Sequence, residues 1–255
     1  MIELAEASTR FERLAPTEAL LEADGFVIFF APGDDARSCL VQRPRFAGSS
    51  VEATVERARC LIRSHGRREA TWEILTPVHA PPTIDRLRAL GLRPGAPAQA
   101  TIMALSTAPR VTAAGVTVSA VDTLDDFRAH VAITHEVFGL LDRLPAELQR
   151  IDVEGAGKLA DRSFVRYLAR VDGVAAGAAT ATFTSAGVML HSGSTLARFR
   201  GRGVYAATVL HRWHEAVARG TPQLITRAGP MSCEILRKLG FVELGQVHFL
   251  IDVFP

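Results

Sequence analysis

The sequence predicts an α/β (α+β) protein, a mixed, mostly antiparallel sheet flanked by helices and duplicated along the chain. Three observations carry that expectation. Short apolar runs bounded by Gly, Pro and Asp alternate with stretches of helical period. A turn rich in glycine and arginine, Arg200-Gly201-Arg202-Gly203-Val204-Tyr205, lies directly between a β-like run and a strongly helical one. Finally, Leu87-Arg88-Ala89-Leu90-Gly91-Leu92 is echoed by Leu236-Arg237-Lys238-Leu239-Gly240-Phe241. Each copy follows a strand and a proline-containing turn and precedes an apolar run, so the order strand, turn, short helix, strand is written twice.

The elements follow in order. The first half reads as helix around 9–23, strands near 25–30 and 38–43, helix 51–65, strand 71–75, helix 82–90 and strand 99–105. Ser106-Thr107-Ala108-Pro109-Arg110 is small, polar and proline-containing, as a linker should be. The expected domains are therefore 1–107 and 111–255. The second half reads strand 116–121, helix 123–138, helix 145–160, strands 164–171, 174–183 and 187–196, helix 204–219, strand 222–227, helix 231–239 and strand 246–254. Asp122 or Thr123 caps the helix that follows it. Asp172-Gly173 between two apolar runs marks a hairpin. The helix after the glycine loop is expected to bury Val209, Leu210, Trp213 and Val217, to turn His211, Arg212, Glu215 and Arg219 away, and to stop at Gly220.

Bulk properties exclude several classes. The chain has 255 residues, 48% hydrophobic and 22% charged, which describes a globular protein. A net charge of +2 is too small to argue for nucleic acid. Cys39, Cys60 and Cys233 are far apart without C-x-x-C spacing, which fits a reducing compartment with no disulfide framework and no zinc site. Met1 to Glu6 lacks the apolar core of a signal peptide, and no apolar run reaches about 18 residues. The expectation is a cytoplasmic enzyme with no membrane partner, monomeric or paired as a homodimer through an exposed sheet edge.

The glycine-arginine turn carries the chemistry. Backbone N–H groups close around a phosphate only where Cβ atoms do not block them, and a following helix directs its unpaired N–H groups and positive dipole end to the same place. A diphosphate ligand is thus expected. A nucleoside-triphosphate P-loop would need G-x-x-x-x-G-K-[ST], and no lysine is present here. A dinucleotide fold would need an acidic residue about 20 positions on, and Thr221 to Arg227 has none.

Arg200-x-x-Gly203-x-Tyr205 resembles the R/Q-x-x-G-x-G/A pyrophosphate loop of the GNAT N-acetyltransferase superfamily. Ser232 to Phe241 resembles that family's second motif, A-x-x-L-Y-x-x-x-G-F, and the element order of 116–254 is also the family's. The resemblance covers the second half. It implies a GNAT-like acyl-CoA N-acyltransferase fold and acetyl-CoA as cosubstrate, with no metal. The pantetheine arm would lie along Ser194, Thr195 and Leu196, and the diphosphate on Arg200, Gly201, Arg202, Gly203, Val204 and Tyr205. The acceptor amine attacks the thioester directly, so holding two substrates in reacting geometry supplies much of the rate. A backbone N–H polarises the thioester carbonyl.

By the same resemblance a Glu or His on the fourth strand of the domain acts as general base. His191 falls in that strand and, if the strand is regular, shares a face with Gly193 and Thr195. Imidazole is the side chain whose unperturbed titration range suits proton removal near neutral pH. The plainer alternative is a strand-edge histidine with one satisfied hydrogen bond. Glu136, beside His135 on the first helix of the second half, is a candidate for an acceptor ammonium group, against the alternative of an exposed helix residue. Asp142, Glu147, Asp152, Glu154 and Asp161 would attract a cationic acceptor or simply be solvated. His211 and His214 lack metal spacing. The acceptor is open between small amines, amino acids, aminoglycosides and peptide N-termini.

Two departures weigh against turnover. Leu236 stands where the family places a proton-donating tyrosine, leaving Cys233, Ser232 or water as the acid. Tyr205 stands where the loop ends in Gly or Ala, and its phenol must point away from the phosphates or cover them. The rival expectation is a catalytically inactive acyl-CoA-binding sensor or scaffold. The first half has no such loop: Arg43-Pro44-Arg45-Phe46-Ala47-Gly48 contains a proline and one glycine, so 1–107 reads as a degenerate copy, with Arg43 and Arg45 as further candidate contacts to the nucleotide end of CoA.

Overall fold

The computed structural model describes residues 5–6, 17–33, 35–46, 50–76, 78–111 and 115–255. Its elements are β1 (Ala19–Ala23), β2 (Phe26–Phe30), β3 (Cys39–Gln42), α1 (Val51–Ser64), β4 (Glu69–Thr76), α2 (Pro81–Ala89), β5 (Arg93–Leu105), β6 (Val116–Ala120), α3 (Leu124–Phe138), α4 (Leu144–Ala160), β7 (Phe164–Val171), β8 (Val174–Thr184), β9 (Gly187–Thr195), α5 (Val204–Ala218), β10 (Leu224–Ala228), α6 (Pro230–Leu239) and β11 (Val242–Val253). They form two compact units. The first draws on Met1–Met103, Arg227–Cys233 and Glu243–Pro255, the second on Ala104–Thr226 and Glu234–Val242. The mixed, mostly antiparallel sheet flanked by helices is the architecture the sequence predicts.

In the first unit the strands run in the order β1-β2-β3-β4-β11-β5. Phe26-Val27-Ile28-Phe29-Phe30 is apolar throughout and buried throughout. It packs with Trp72 and Ile74 of β4 and with Val55, Ala58 and Ile62, the inward face of α1. Ser50 caps α1 by accepting from the Ala53 amide at 3.1 Å. The helix carries the chain from β3 to β4, which pair in parallel at Leu40↔Thr71 and Val41↔Trp72. The last strand of the chain, β11, pairs antiparallel with β4 from Gln246↔Thr76 to Val253↔Glu69. Its buried Asp252 takes a two-pronged bond from Arg59 of α1, with contacts of 2.6 and 3.0 Å.

One expected element is corrected here. The helix read over 9–23 is a strand at 19–23, and residues 9–16 lie outside the described residues. Ala19 to Ala23 has helical propensity, but it pairs with β2 from Ala19↔Phe30 to Ala23↔Phe26 across a two-residue Asp24-Gly25 loop. Pairing against an apolar strand outweighs a local preference worth tenths of a kcal/mol per residue.

The second unit has the order β10-β9-β8-β7-β6, antiparallel except between β9 and β10. Thr123 caps α3, accepting from the Asp126 amide at 3.1 Å. Asp172 and Gly173 take φ of 52° and 78°, the positive pair that a type I′ hairpin turn needs. Leu168 and its neighbour Ala169 point to opposite faces of the sheet. Leu168 joins Phe127, Val131, Ile133 and Ile151 of α3 and α4, while Ala169 joins Val171 and Val204, the first residue of α5.

The inward face of α5 differs from expectation. Val209 and Trp213 are buried, but so is Arg212, and Val217 is half exposed. Arg212 tolerates burial because its guanidinium donates to the carbonyls of Thr208 and Thr180, each at 2.9 Å.

Both units repeat strand, helix, parallel strand, helix, and the repeated leucines Leu87 and Leu236 are both fully buried. Among the described residues no helix is long and apolar enough to cross a membrane.

Candidate active site

The site forms where β9 loses its parallel neighbour. β10 pairs with β9 at Leu224↔Val188, Ile225↔Met189 and Thr226↔Leu190, and Thr226 Oγ1 adds a bond to the Leu190 carbonyl at 3.2 Å. Beyond Leu190, β9 runs on to Thr195 with register only to β8, among the described residues. The strand is also irregular there. Ala178 pairs with Ser194 and Thr180 with His191, so Ser192 and Gly193 oppose the single residue Ala179. Ser192 takes φ of 47°, a left-handed conformation uncommon outside glycine and typical of functional bends. This is a β-bulge just past the end of the parallel register, and a bulge leaves its extra residue unpaired and bends the strand.

The bulge breaks the alternation on which the sequence placed His191, Gly193 and Thr195 on one face. His191 shares its face with Thr182 and Phe164. Its Nε2 lies 3.0 Å from Thr182 Oγ1, and its ring stacks on Phe164 at 6.2 Å between centroids. Gly193 is part of the bulge, and Thr195 lies past it. Ser194 is buried with its hydroxyl on the Ala178 carbonyl at 3.1 Å. Thr195 Oγ1 is buried without a hydrogen-bond partner, and Leu196 is a core residue.

The loop itself is glycine-dependent. Gly201 and Gly203 have φ of 78° and 76°, and Gly203 is the N-cap of α5, offering no side chain to the first N–H groups of the helix. The helix start therefore presents donors and dipole outward. The amides of Arg200 and Arg202 close tight turns onto Ala197 and Phe199 at 3.2 and 3.4 Å. The exposed Arg202 guanidinium reaches Asp172 at 3.1 Å. Val204 is buried under the sheet. Tyr205 turns its ring onto the bulge: a Cβ added to Gly193 would lie 2.5 Å from the ring.

Arg212 stands behind this arrangement. It is 1% exposed, and all its bonds are to neutral oxygens: the two carbonyls above and Thr208 Oγ1 at 3.3 Å. Burial pulls its pKa down to about 10. Thr208 Oγ1 donates in turn to the Tyr205 carbonyl at 2.7 Å. Nearby on the sheet, Tyr167 donates to Glu215 at 2.5 Å and is packed edge-on by His211.

The other candidates are engaged elsewhere. Glu136 is exposed and lies 4.0 Å from Arg198, in the turn leading to the loop, while His135 bonds its own helix at Val131. Glu147 pairs with Arg150, Asp152 with Arg128 and Glu154 with Lys158, and Asp161 caps Ser163. Leu236 is fully buried. Cys233 is buried with its thiol toward the Ala228 carbonyl, and the Ser232 hydroxyl donates to Gly229. In the first unit Arg45 pairs with Glu6. At the end of its own parallel pair, Gln42 donates to buried Glu73 at 2.6 Å and Arg227 grips the same carboxylate at 2.7 and 2.9 Å, so that strand end is filled by a polar network. Among the described residues no group of three His, Cys, Asp or Glu is placed to hold a metal, and the three cysteines are free.

Sequence reasoning missed the bulge, the burial of Arg212 and the Tyr205–Gly193 contact. An isolated glycine inside a strand, as in His191-Ser192-Gly193-Ser194, was the available signal for the first.

No protein-family model and no curated protein matches the sequence. Among solved structures, the chain is similar to a GCN5-related N-acetyltransferase from Kribbella flavida, with 16% identity, 92% of this chain and 90% of that one covered, and a TM-score of 0.70. It is similar to a tandem GNAT protein from the clavulanic acid biosynthesis pathway at 17% identity, covering 98% and 87%, with a TM-score of 0.64. A functionally unknown conserved protein from Staphylococcus epidermidis aligns at 11% identity over 98% and 100%, also with a TM-score of 0.64. The likeness is one of fold: over nearly its whole length the chain has the fold of the GCN5-related N-acetyltransferases, a tandem example among them.

Proposed function

We propose that the half spanning 111–255 binds acetyl-CoA and transfers its acetyl group to an amine in a ternary complex, and that 1–107 is a degenerate copy of the same fold without a CoA loop. The observation that carries this reading is the bulged, one-sided end of β9 running into two left-handed glycines and an uncapped helix start. The diphosphate sits at Gly201, Gly203 and the first amides of α5, with Arg200 and Arg202 beside it. The pantetheine arm follows the open edge of Ser194 to Leu196, where the buried, unpartnered Thr195 Oγ1 offers a polar contact. A backbone N–H of the bulge at Ser192 and Gly193 polarises the thioester carbonyl in this reading.

His191 is the general base of this reading. Thr182 Oγ1, within hydrogen-bond distance of Nε2, and the Phe164 ring hold its imidazole in place. Glu136, paired with Arg198, serves the acceptor side at most, where its carboxylate meets the incoming ammonium before deprotonation. The acceptor is a small-molecule amine or a peptide N-terminus.

The rival reading, an acyl-CoA-binding protein without turnover, is favoured by one observation: Leu236, in place of the family's proton donor, is wholly apolar and buried. Thiol release from acetyl-CoA across an amine panel separates the two. His191→Ala is expected to lower kcat by about 100-fold with acetyl-CoA affinity unchanged. Tight binding with no thiol release from any amine would establish the rival.

A further inference from the structure

We propose that the acceptor is a small amino acid, its amine facing His191 and its carboxylate held by Arg166. The inference rests on the acyltransferase reading above and names the class of amine which that reading leaves open.

The juxtaposition comes from strand register. Arg166 of β7 pairs with Thr180 of β8, and Thr180 pairs with His191 of β9. Direct cross-strand partners project from the same face of a sheet, so Arg166, Thr180 and His191 form one row across three strands. Phe164 and Thr182 belong to the next row on that face. His191 stacks on the Phe164 ring at 6.2 Å between centroids, and Arg166 Cζ lies 4.8 Å from the centroid of the same ring. The imidazole and the guanidinium are therefore no farther apart than those two lengths laid end to end. A short amino acid bridges such a span with one hydrogen-bonded group at each end. Arg166, Phe164, Thr182 and His191 are each partly exposed, so a ligand reaches all four.

Arg166 is built as a carboxylate receptor. Its Nη1 donates to the Lys158 carbonyl at 3.1 Å, and its guanidinium lies over the Phe127 ring at 4.5 Å as well as over Phe164. Two aromatic rings and one carbonyl fix the fork and leave most of its five N–H donors unused. Among the described residues no carboxylate forms an ion pair with it. Glu147 pairs with Arg150, and Asp161 accepts from the Ser163 amide and hydroxyl. Burial disfavours the charge on Arg166, and Asp161 and Glu147 offset this only over a distance. A partly desolvated guanidinium without a counter-ion is costly, and a two-pronged bond to a carboxylate supplies what it lacks. A wholly cationic acceptor, a polyamine or an aminoglycoside, would meet it with like charge.

Unsatisfied polar atoms give the second observation. Thr180, between Arg166 and His191, is 4% exposed, and its Oγ1 has no hydrogen-bond partner. His130 lies on α3, which packs on the same face through Phe127. It is equally buried, its Nε2 lies 3.3 Å from the carbonyl of neighbouring Ala179, and its Nδ1 has no partner. Buried side chains left unsatisfied are rare in folded proteins, and two of them on this face mark it as a place for a polar ligand.

Thiol release from acetyl-CoA with L-amino acids and with the matching L-amino-acid amides tests the assignment. The amide keeps the size and shape of the acid. Its amine is less basic, because no negative charge stands beside it, so a preference for the acid cannot come from amine reactivity. We expect wild-type kcat/KM to favour the acid by about 100-fold, through KM. In Arg166→Met that ratio is expected to fall to near one, because KM for the acid rises. Arg166→Lys, a charge without the fork, should give an intermediate ratio. A merely structural role for Arg166 would lower both acceptors together and leave the ratio where it was. If Arg166→Met fails to fold, the wild-type ratio and Arg166→Lys carry the test. Equal kcat/KM for acid and amide in wild type, turnover only with amines such as spermidine or kanamycin, or a ratio unchanged by Arg166 substitution would overturn the inference and leave the acyltransferase reading intact. No thiol release from any of these amines would overturn both.

Discussion

Arg59→Met is expected to destabilise the protein by about 3–5 kcal/mol, the usual cost of removing one partner from a buried ion pair. Asp252 is 0% exposed and both its oxygens are taken by Arg59, which also donates to the Leu90 carbonyl at 3.1 Å. Without the guanidinium, a carboxylate is left inside the unit with no counter-charge. Asp252→Leu should cost less, because Arg59 is partly solvated and keeps the Leu90 carbonyl. The double variant should recover most of the loss, since the penalty comes from the orphaned charge more than from the missing attraction. Denaturant unfolding of the four proteins measures this. Equal losses in both single variants with no recovery in the double would show that the pair is not the source. The pair matters because it joins α1 to β11, the strand that lies farthest along the chain yet completes the first unit.

The second large effect is a pH dependence from His130. It is 4% exposed on α3, its Nε2 lies 3.3 Å from the Ala179 carbonyl, and its Nδ1 has no partner. Burial pulls its pKa down to about 4; the Ala179 bond opposes this, and the charge of Arg166, the smallest of the three effects, adds to it. The folded state therefore disfavours the imidazolium, and the unfolded chain binds the proton more readily. Stability from this group is complete above about pH 6.5 and is lost as pH falls toward about 4. The linkage gives a loss of about 2 kcal/mol by about pH 5. His79, His211 and His248 are displaced in the same direction, chiefly by burial, so the whole protein will show a larger acid sensitivity. His130→Gln keeps a donor for Ala179 and cannot titrate. Its stability relative to wild type should improve by about 2 kcal/mol between about pH 7.5 and about pH 5. A difference that stays constant over that range would show that His130 is not the group responsible.

Much of the second half was legible in the residues because local signals and tertiary structure agree there. Thr123 caps, Asp172-Gly173 turns, and the loop glycines take the conformation that only glycine adopts cheaply. Where the two disagree, the reading failed. Ala19 to Ala23 prefers helix in isolation, yet Asp24-Gly25 folds it back onto an apolar strand. Arg212 occupies a helix position that charge alone assigns to solvent, and the carbonyls of Thr208 and of the distant Thr180 make burial tolerable. The pairing of β11 with β4 depends on residues some 170 apart, for which no local pattern exists. At the candidate site, the loop and His191 were readable as residue types. The bulge that sets their geometry, and the contact between Tyr205 and Gly193, come from the register of β8 against β9.

The central claim, one CoA site at the start of α5, is tested most directly by calorimetric titration of acetyl-CoA into wild type and Gly203→Glu. Position 203 has φ of 76° and faces open space, so glutamate would bring strain and a negative charge to the anion site with no packing clash. Wild type is expected to bind one equivalent, and the variant to bind at least about 100-fold more weakly. Unchanged affinity in Gly203→Glu, or two equivalents bound per chain, would contradict it.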